Sequence, residues 1–297
     1  MVNRIASFLG LTLATAAIAA PAGAPIGEPH VYKQADDRSL ELFVVRPADW
    51  QPSDRRPAIV FYHGGGWTGG SPAQFNEQAR YFASRGLVSI LVRYRLTDGK
   101  SAVPPLVCIQ DSRSSFRWVR AHAPDLGIDP RRIAAAGGSA GGHLAAHLGL
   151  VHSLHLDDPQ DDARLSFRPD ALILFNPVLD NGPGEFGHRR IGDRVADYSP
   201  AHNVAAGAPP AVLFLGSADK LVSVATLDRF CAALRAAGNR AELHVYPEQP
   251  HGFFNFDRDN PRHFVLTLHA ADEFLASLGW LEGEPTLARP EDDETRN

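Results

Sequence analysis

The sequence predicts an α/β fold, a mostly parallel central sheet with helices on both faces. Three observations carry that expectation. Strand-like apolar runs alternate with helical patterns along most of the chain. The runs are apolar at nearly every position rather than at every second one, as a sheet covered on both sides requires. Several runs end in short turns of glycine and small polar residues, and open α/β sheets meet their ligands at the carboxyl ends of their strands.

In chain order, Met1 to Arg4 carries one positive charge, and Ile5 to Ala20 is apolar and rich in alanine. Ala17-Ile18-Ala19 is a small-x-small cleavage candidate, so residues 1–24 read as an export signal. The apolar stretch is short of the ~20 residues of a membrane span. Proline, glycine and alanine between Pro21 and Pro29 mark residues 25–34 as a linker. One large domain is expected over 35–281, and an acidic, disordered tail over 282–297.

Within that domain the strand candidates are Leu40–Val45, Ala58–Tyr62, Leu87–Tyr94, Arg132–Ala136, Ala171–Phe175, Ala211–Leu215 and Ala241–Tyr246. Helical patterns lie near Phe75–Ser84, Val107–His122, Gly142–His152, Val224–Ala237 and His263–Leu278. The segment from Asn176 to Pro210 breaks the alternation. A connection of that length in a compact domain is usually functional or disordered, and leaving a strand's carboxyl end it should overhang the site.

The chain has 297 residues, 44% of them apolar and 21% charged, which suits a globular domain with an ample core. The net charge is −5, of which the tail from Glu282 to Asn297 carries −4. The body is therefore almost neutral, which argues against nucleic acid as a partner. Cys108 and Cys231 fall in different helical patterns and are expected as buried free thiols; no cysteine spacing points to a metal.

Chemistry concentrates in four places. Gly137-Gly138-Ser139-Ala140-Gly141-Gly142 sits between a strand and a helix candidate, where a Gly-x-Ser-x-Gly turn exposes the serine oxygen. Upstream, His63-Gly64-Gly65-Gly66-Trp67 ends another apolar run. Attack by a serine on a carbonyl builds negative charge on oxygen, and unhindered backbone amides can meet it. The amides of Gly65, Gly66 and Ala140 are the expected donors. Asp219 ends the run Ala211 to Leu215 in Gly216-Ser217-Ala218-Asp219, and His251 follows the run Ala241 to Tyr246. A serine needs a base, and the base an orienting carboxylate, so Ser139, His251 and Asp219 form the expected triad.

Rival residues have plainer places. Asp228 falls on a helical pattern, His244 within a strand, and His63 should anchor the glycine turn. His143 and His147 share a helix face but lack the glutamate of a zinc-protease motif, so packing beneath the serine is expected of them. The acidic run from Asp157 to Asp162 lacks the spacing of a calcium loop and reads as a solvated surface loop. Candidate substrate contacts are Trp67, which could stack on a ring; Phe186, Arg189 and Arg190 in the long segment; and Phe253 beside the histidine.

Serine, acid and histidine in that chain order, with His63–Trp67, Tyr94-Arg95-Leu96, Gly137–His143, Gly216–Asp219 before Leu221-Val222, and His251-Gly252-Phe253, resemble the α/β-hydrolase esterases and lipases over roughly 35–280. The elbow Gly137–His143 and the acid segment Gly216–Val222 look more like the feruloyl/acetyl-xylan-esterase branch than the hormone-sensitive-lipase-like enzymes. Gly138 departs from the latter, which carry an acidic residue before the serine. The resemblance implies hydrolysis of acetyl, short-chain or hydroxycinnamoyl esters, on carbohydrates or small molecules, without metal or organic cofactor. The N-terminal segment, with no other stretch approaching a span, predicts an exported enzyme, periplasmic or extracellular, without stable membrane insertion. A peptidase or amidase of the same fold, arylformamidase-like included, and a catalytically silent binding protein are the alternatives.

Overall fold

A computed structural model describes residues 23–35, 37–99 and 103–290. The expected export signal falls almost wholly outside them. Eight strands form one sheet: β1 (Glu28–Ala35), β2 (Arg38–Val45), β3 (Arg56–Tyr62), β4 (Val88–Val92), β5 (Ile128–Gly138), β6 (Ala171–Phe175), β7 (Ala211–Gly216) and β8 (Ala241–Tyr246). The order is β1-β2-β4-β3-β5-β6-β7-β8. Pairing is antiparallel for β1–β2 and β2–β4 and parallel from β4 through β8.

The helices are α1 (Asn76–Ser84), α2 (Leu106–Ala121), α3 (Ala140–Leu150), the short α4 (His188–Ile191) and α5 (Val195–Tyr198), α6 (Val224–Ala236) and α7 (Arg262–Ser277). Side chains alternate across each strand, so the sheet has two apolar faces. One packs Val60, Tyr62 and Leu174 with residues of α2, α3 and α6. The other packs Ile59, Phe61 and Ile173 with residues of α1 and α7. This is the two-sided α/β architecture expected from the apolar runs.

The parallel register sets where the chemistry can be. Tyr62 lies opposite Gly137, Gly138 opposite Phe175, and Gly216 opposite Tyr246. The residues that follow β3, β5, β6, β7 and β8 therefore emerge along one edge of the sheet. From β3 the chain crosses to β4 on one side, and from β4 it returns to β5 on the other. That change of direction opens a crevice at the carboxyl ends of β3 and β5.

Three expectations need correction. Residues 28–34, read as linker, belong to β1, an edge strand whose Lys33 occupies an inward position. The ammonium of Lys33 meets Asp111 at 2.9 Å and Asp158 at 2.6 Å, so a charge stands where an apolar side chain would have revealed a strand. The acidic run is solvated only in part: Asp162 is exposed, but Asp157 and Asp161 turn inward. Asp157 pairs with Arg113 at 2.5 Å and Arg117 at 2.6 Å, and Asp161 pairs with Arg117 at 2.9 Å. Both guanidiniums also lie over the Phe167 ring, closing a charged layer between α2 and the loop before β6. The first part of the tail is ordered as well. Arg85 donates to the carbonyls of Glu282 and Gly283, and Leu287 packs against the core.

Removing one partner of a buried ion pair strands the other charge, at a cost of about 3–5 kcal/mol. The Arg113 side chain is fully buried, so Asp157→Asn should lower the unfolding free energy by about that much, read from urea denaturation. A loss under about 0.5 kcal/mol would assign the pair to the screened surface class.

Candidate active site

Ser139 links β5 to α3 with φ 54° and ψ −118°. Few non-glycine residues stand at positive φ, and holding one there costs about 1–3 kcal/mol, recovered from its surroundings. The Ser139 amide donates to the Phe175 carbonyl at 2.9 Å. Its carbonyl accepts from His143 at 3.0 Å and Val178 at 3.3 Å. The flanking residues have no room for side chains. A Cβ on Gly141 would stand 1.9 Å from the Tyr62 carbonyl oxygen, and one on Gly138 2.4 Å from the buried Phe254 ring. The absence of an acidic residue at 138 thus follows from the packing of Phe254.

His251, on the loop after β8, lies between the serine and the acid. Its Nδ1 is 2.6 Å from Asp219 Oδ2 and its Nε2 2.9 Å from Ser139 Oγ. An ionised carboxylate can only accept, which puts the proton on Nδ1 and turns the Nε2 lone pair to the hydroxyl. The Asp219 side chain is fully buried, and its other oxygen accepts from the amides of Leu221 at 2.8 Å and Val222 at 3.1 Å. The carboxylate is thereby fixed at both oxygens. Such an arrangement can draw the serine proton onto Nε2 and hold the cation that forms.

The glycine turn lies against this group: a Cβ on Gly64 would be 3.4 Å from Ser139 Cβ. The Gly64 amide donates to Gln74 Oε1 at 2.6 Å, and the Gly65 carbonyl accepts from Thr68 and Gly69. Ala140 opens α3, where the first amides have no partner within the helix. His63 anchors the turn: its Nδ1 donates to the Gly64 carbonyl at 2.8 Å, its ring stacks on Tyr94, and the Tyr94 hydroxyl donates to its carbonyl.

The long segment after β6 crosses the mouth of the site as a strap. At one end Glu185 accepts from Thr226 Oγ1 at 2.9 Å and Arg229 at 3.2 Å. At the other Arg190 donates to the Gly66 carbonyl and to Thr97 Oγ1, both at 3.2 Å. From below, His143 and His147 donate from Nε2 to the carbonyls of Tyr198 at 2.7 Å and Asp197 at 3.0 Å. They are packing residues of α3, as expected.

The substrate contacts read from sequence fare less well. Trp67 is fully buried against His143 and Phe186, with the Arg190 guanidinium over its ring, so it has no open face for stacking. Arg190 is spent on the glycine turn. Phe253 packs on Tyr246 and His263, on the α7 side of the sheet. Phe186 is half-buried on Trp67, and Arg189 is exposed on α4. Asp228 is exposed on α6 and His244 lies within β8. Cys108 and Cys231 are buried free thiols, held up to about 12 and about 11 by burial.

Asn176 was not singled out by the sequence as a site residue. It is fully buried at the end of β6, its Nδ2 is 3.3 Å from His251 Nε2, and its Oδ1 accepts from Gly252 at 3.0 Å. An Asn-Pro pair closing an apolar run was the available signal. Among the described residues no group of three or more His, Cys, Asp or Glu side chains is placed to hold a metal ion. No described helix is long and apolar enough to cross a membrane.

Burial holds His63 and His143 down to about 4 each, while an unfolded histidine titrates near 6.5. Between those values the unfolded chain binds more protons, so stability is full above about pH 6.5 and falls as the pH drops toward 4. The urea midpoint should decline across that window, and His143→Gln should flatten the decline. An undiminished decline in the variant would place its origin elsewhere.

The chain is similar to several known proteins. The family model described as BD-FAE matches residues 46–182, and that of the prolyl oligopeptidase family matches 181–271. An acetylxylan esterase of Xylanibacter ruminicola is 29% identical over 278 residues, which are 88% of this chain; the chain spans about half, 51%, of that protein's length. A carboxylesterase of Mycobacterium tuberculosis is 34% identical over 234 residues, 70% of each chain. Among solved structures, the apo form of Thermogutta terrifontis esterase 2 is 44% identical with a TM-score of 0.83, over 89% of this chain and 99% of that one.

Proposed function

This chain belongs to the α/β-hydrolase esterase family and is a serine ester hydrolase; from that premise we propose that Ser139, His251 and Asp219 are its catalytic triad. We propose further that it acts on short acyl esters, acetyl above all, carried by carbohydrate or by small alcohols. The observation that carries the roles is the unbroken hydrogen-bonded line from Ser139 Oγ through the imidazole to the doubly held Asp219 carboxylate.

In this reading Ser139 Oγ attacks the ester carbonyl carbon as its proton passes to His251 Nε2. The carbonyl oxygen takes up negative charge, met by the amides of Gly65, Gly66 and Ala140. Collapse breaks the bond to the alcohol, which leaves with the proton from Nε2. Water then gives a proton to His251 and adds to the acyl carbon, and Ser139 departs with the proton returned. Asp219 keeps its charge throughout and stabilises the imidazolium.

Two observations support a short acyl group. Trp67 packs on Phe186 and under Arg190 where the glycine turn meets the strap, contacts that we read as disfavouring a long chain there. Thermogutta terrifontis esterase 2 has been solved with propionate and with butyrate bound. The Xylanibacter ruminicola relative is an acetylxylan esterase, which supports acetylated carbohydrate as the carrier. A second reading, amide hydrolysis, draws on the prolyl oligopeptidase match over 181–271. We also read the chain as exported, on the charge at Arg4 and the apolar run after it.

Against p-nitrophenyl esters from acetate to octanoate, methyl ferulate, acetylated xylan and a p-nitroanilide, turnover should be greatest on the acetyl esters. Ser139→Ala should lower kcat by several orders of magnitude while leaving the fold intact. Full activity in that variant would refute the triad, a preference for octanoate the short-acyl reading, and a preference for the anilide would favour the amidase. Expressed in a secreting bacterial host, the mature protein should begin between residues 20 and 25. An uncut cytoplasmic product would refute export.

A further inference from the structure

We propose that Asn176 is a positioning residue for the base: it docks the His251 loop and holds the imidazole in the form that can accept the serine proton. This rests on the reading of His251 as base.

The geometry singles out Asn176 in three ways. Its backbone has φ 33°, an unusual value for a residue other than glycine, and its amide is fixed to the Phe214 carbonyl at 2.7 Å. Its side chain is therefore delivered from the end of β6 with little freedom. Its Oδ1 accepts from the Gly252 amide, which identifies the other end of the side-chain amide as the NH2 group. That NH2 group lies 3.3 Å from the same Nε2 to which Ser139 Oγ is hydrogen-bonded at 2.9 Å.

The chemistry follows from the donor inventory. Asp219 on the opposite side of the ring requires a proton at Nδ1, so Nε2 is an acceptor in the resting enzyme. Asn176 offers a second donor to that acceptor, and it has a favourable contact only while Nε2 is unprotonated. With the proton on Nε2, two donors face each other. Asn176 thus favours the base-ready ring before attack and favours release of the proton to the leaving alcohol after it. The groups bonded to the imidazole are Ser139 from the β5–α3 turn, Asp219 from the β7–α6 loop and Asn176 from β6; Asp219 alone carries charge.

Asn176→Asp separates this role from simple support. It keeps an oxygen for Gly252 and replaces the donor facing Nε2 by a negatively charged acceptor. An added carboxylate that close favours the protonated ring, so the acid limb of kcat/KM should move to higher pH by roughly one to three units. Asn176→Ala loses both bonds, and kcat should fall by up to about a hundredfold with KM little changed, as for a displaced catalytic group. The rate of Ser139 labelling by a fluorophosphonate, followed against pH, should shift in parallel with the Asn176→Asp profile. An acid limb and labelling profile unmoved in Asn176→Asp would overturn the proposal, whatever the fall in stability. Ser139→Ala and His251→Ala are assayed beside it; activity retained in either would overturn the triad itself rather than the role of Asn176.

Discussion

The site depends on one backbone conformation. Ser139 is a non-glycine residue at φ 54°, and the strand before it and the helix after it leave it no alternative. Tyr62 of β3 approaches so closely that residue 141 must be glycine, and Phe254 fills the space where a side chain at 138 would go. The register of β3 against β5, with Tyr62 opposite Gly137, is thus a condition of the elbow as well as of the sheet. Because the turn cannot relax, its hydroxyl is presented at the crevice where β3 and β5 diverge, against the glycine turn that follows β3.

The other members reach the serine from neighbouring strands of the same edge. Asp219 follows β7, His251 follows β8 and Asn176 follows β6, so each is placed by a different parallel strand, and side-chain hydrogen bonds join them to the serine. Such a group is preorganised to the extent that its strands are. The strap is bonded to α6 through Glu185, to the glycine turn through Arg190 and to α3 through His143 and His147. It ties both sides of the mouth to the helix that begins after Ser139.

What the sequence revealed and what it concealed divide along physical lines. The hydrogen-bonded line of Ser139, His251 and Asp219 was legible because the proposed chemistry demands particular residue types, each standing near the end of an apolar run, in an order that one fold uses. The inner strands were legible because both sheet faces are covered. β1 is hidden because Lys33 sits inward on Asp111 and Asp158, and the pairing of the acidic run is hidden because its arginine partners lie 40 and 44 positions earlier. Trp67 and Arg190 were taken for substrate contacts because a sequence does not show which of two neighbouring loops a side chain will spend itself on. Asn176 was missed for a related reason: a lone asparagine beside a proline reads as a turn until the strand register puts it against the imidazole.

The account stands on an acyl group carried by Ser139, and trapping it is the direct test. Protein quenched in acid during turnover of p-nitrophenyl acetate, digested and weighed by mass spectrometry, should carry acetyl on the peptide containing Ser139 and on no other. The same adduct should be absent from Ser139→Ala. Acetyl on a different residue, or turnover with no acyl-enzyme in a quench fast enough to catch one, would contradict it.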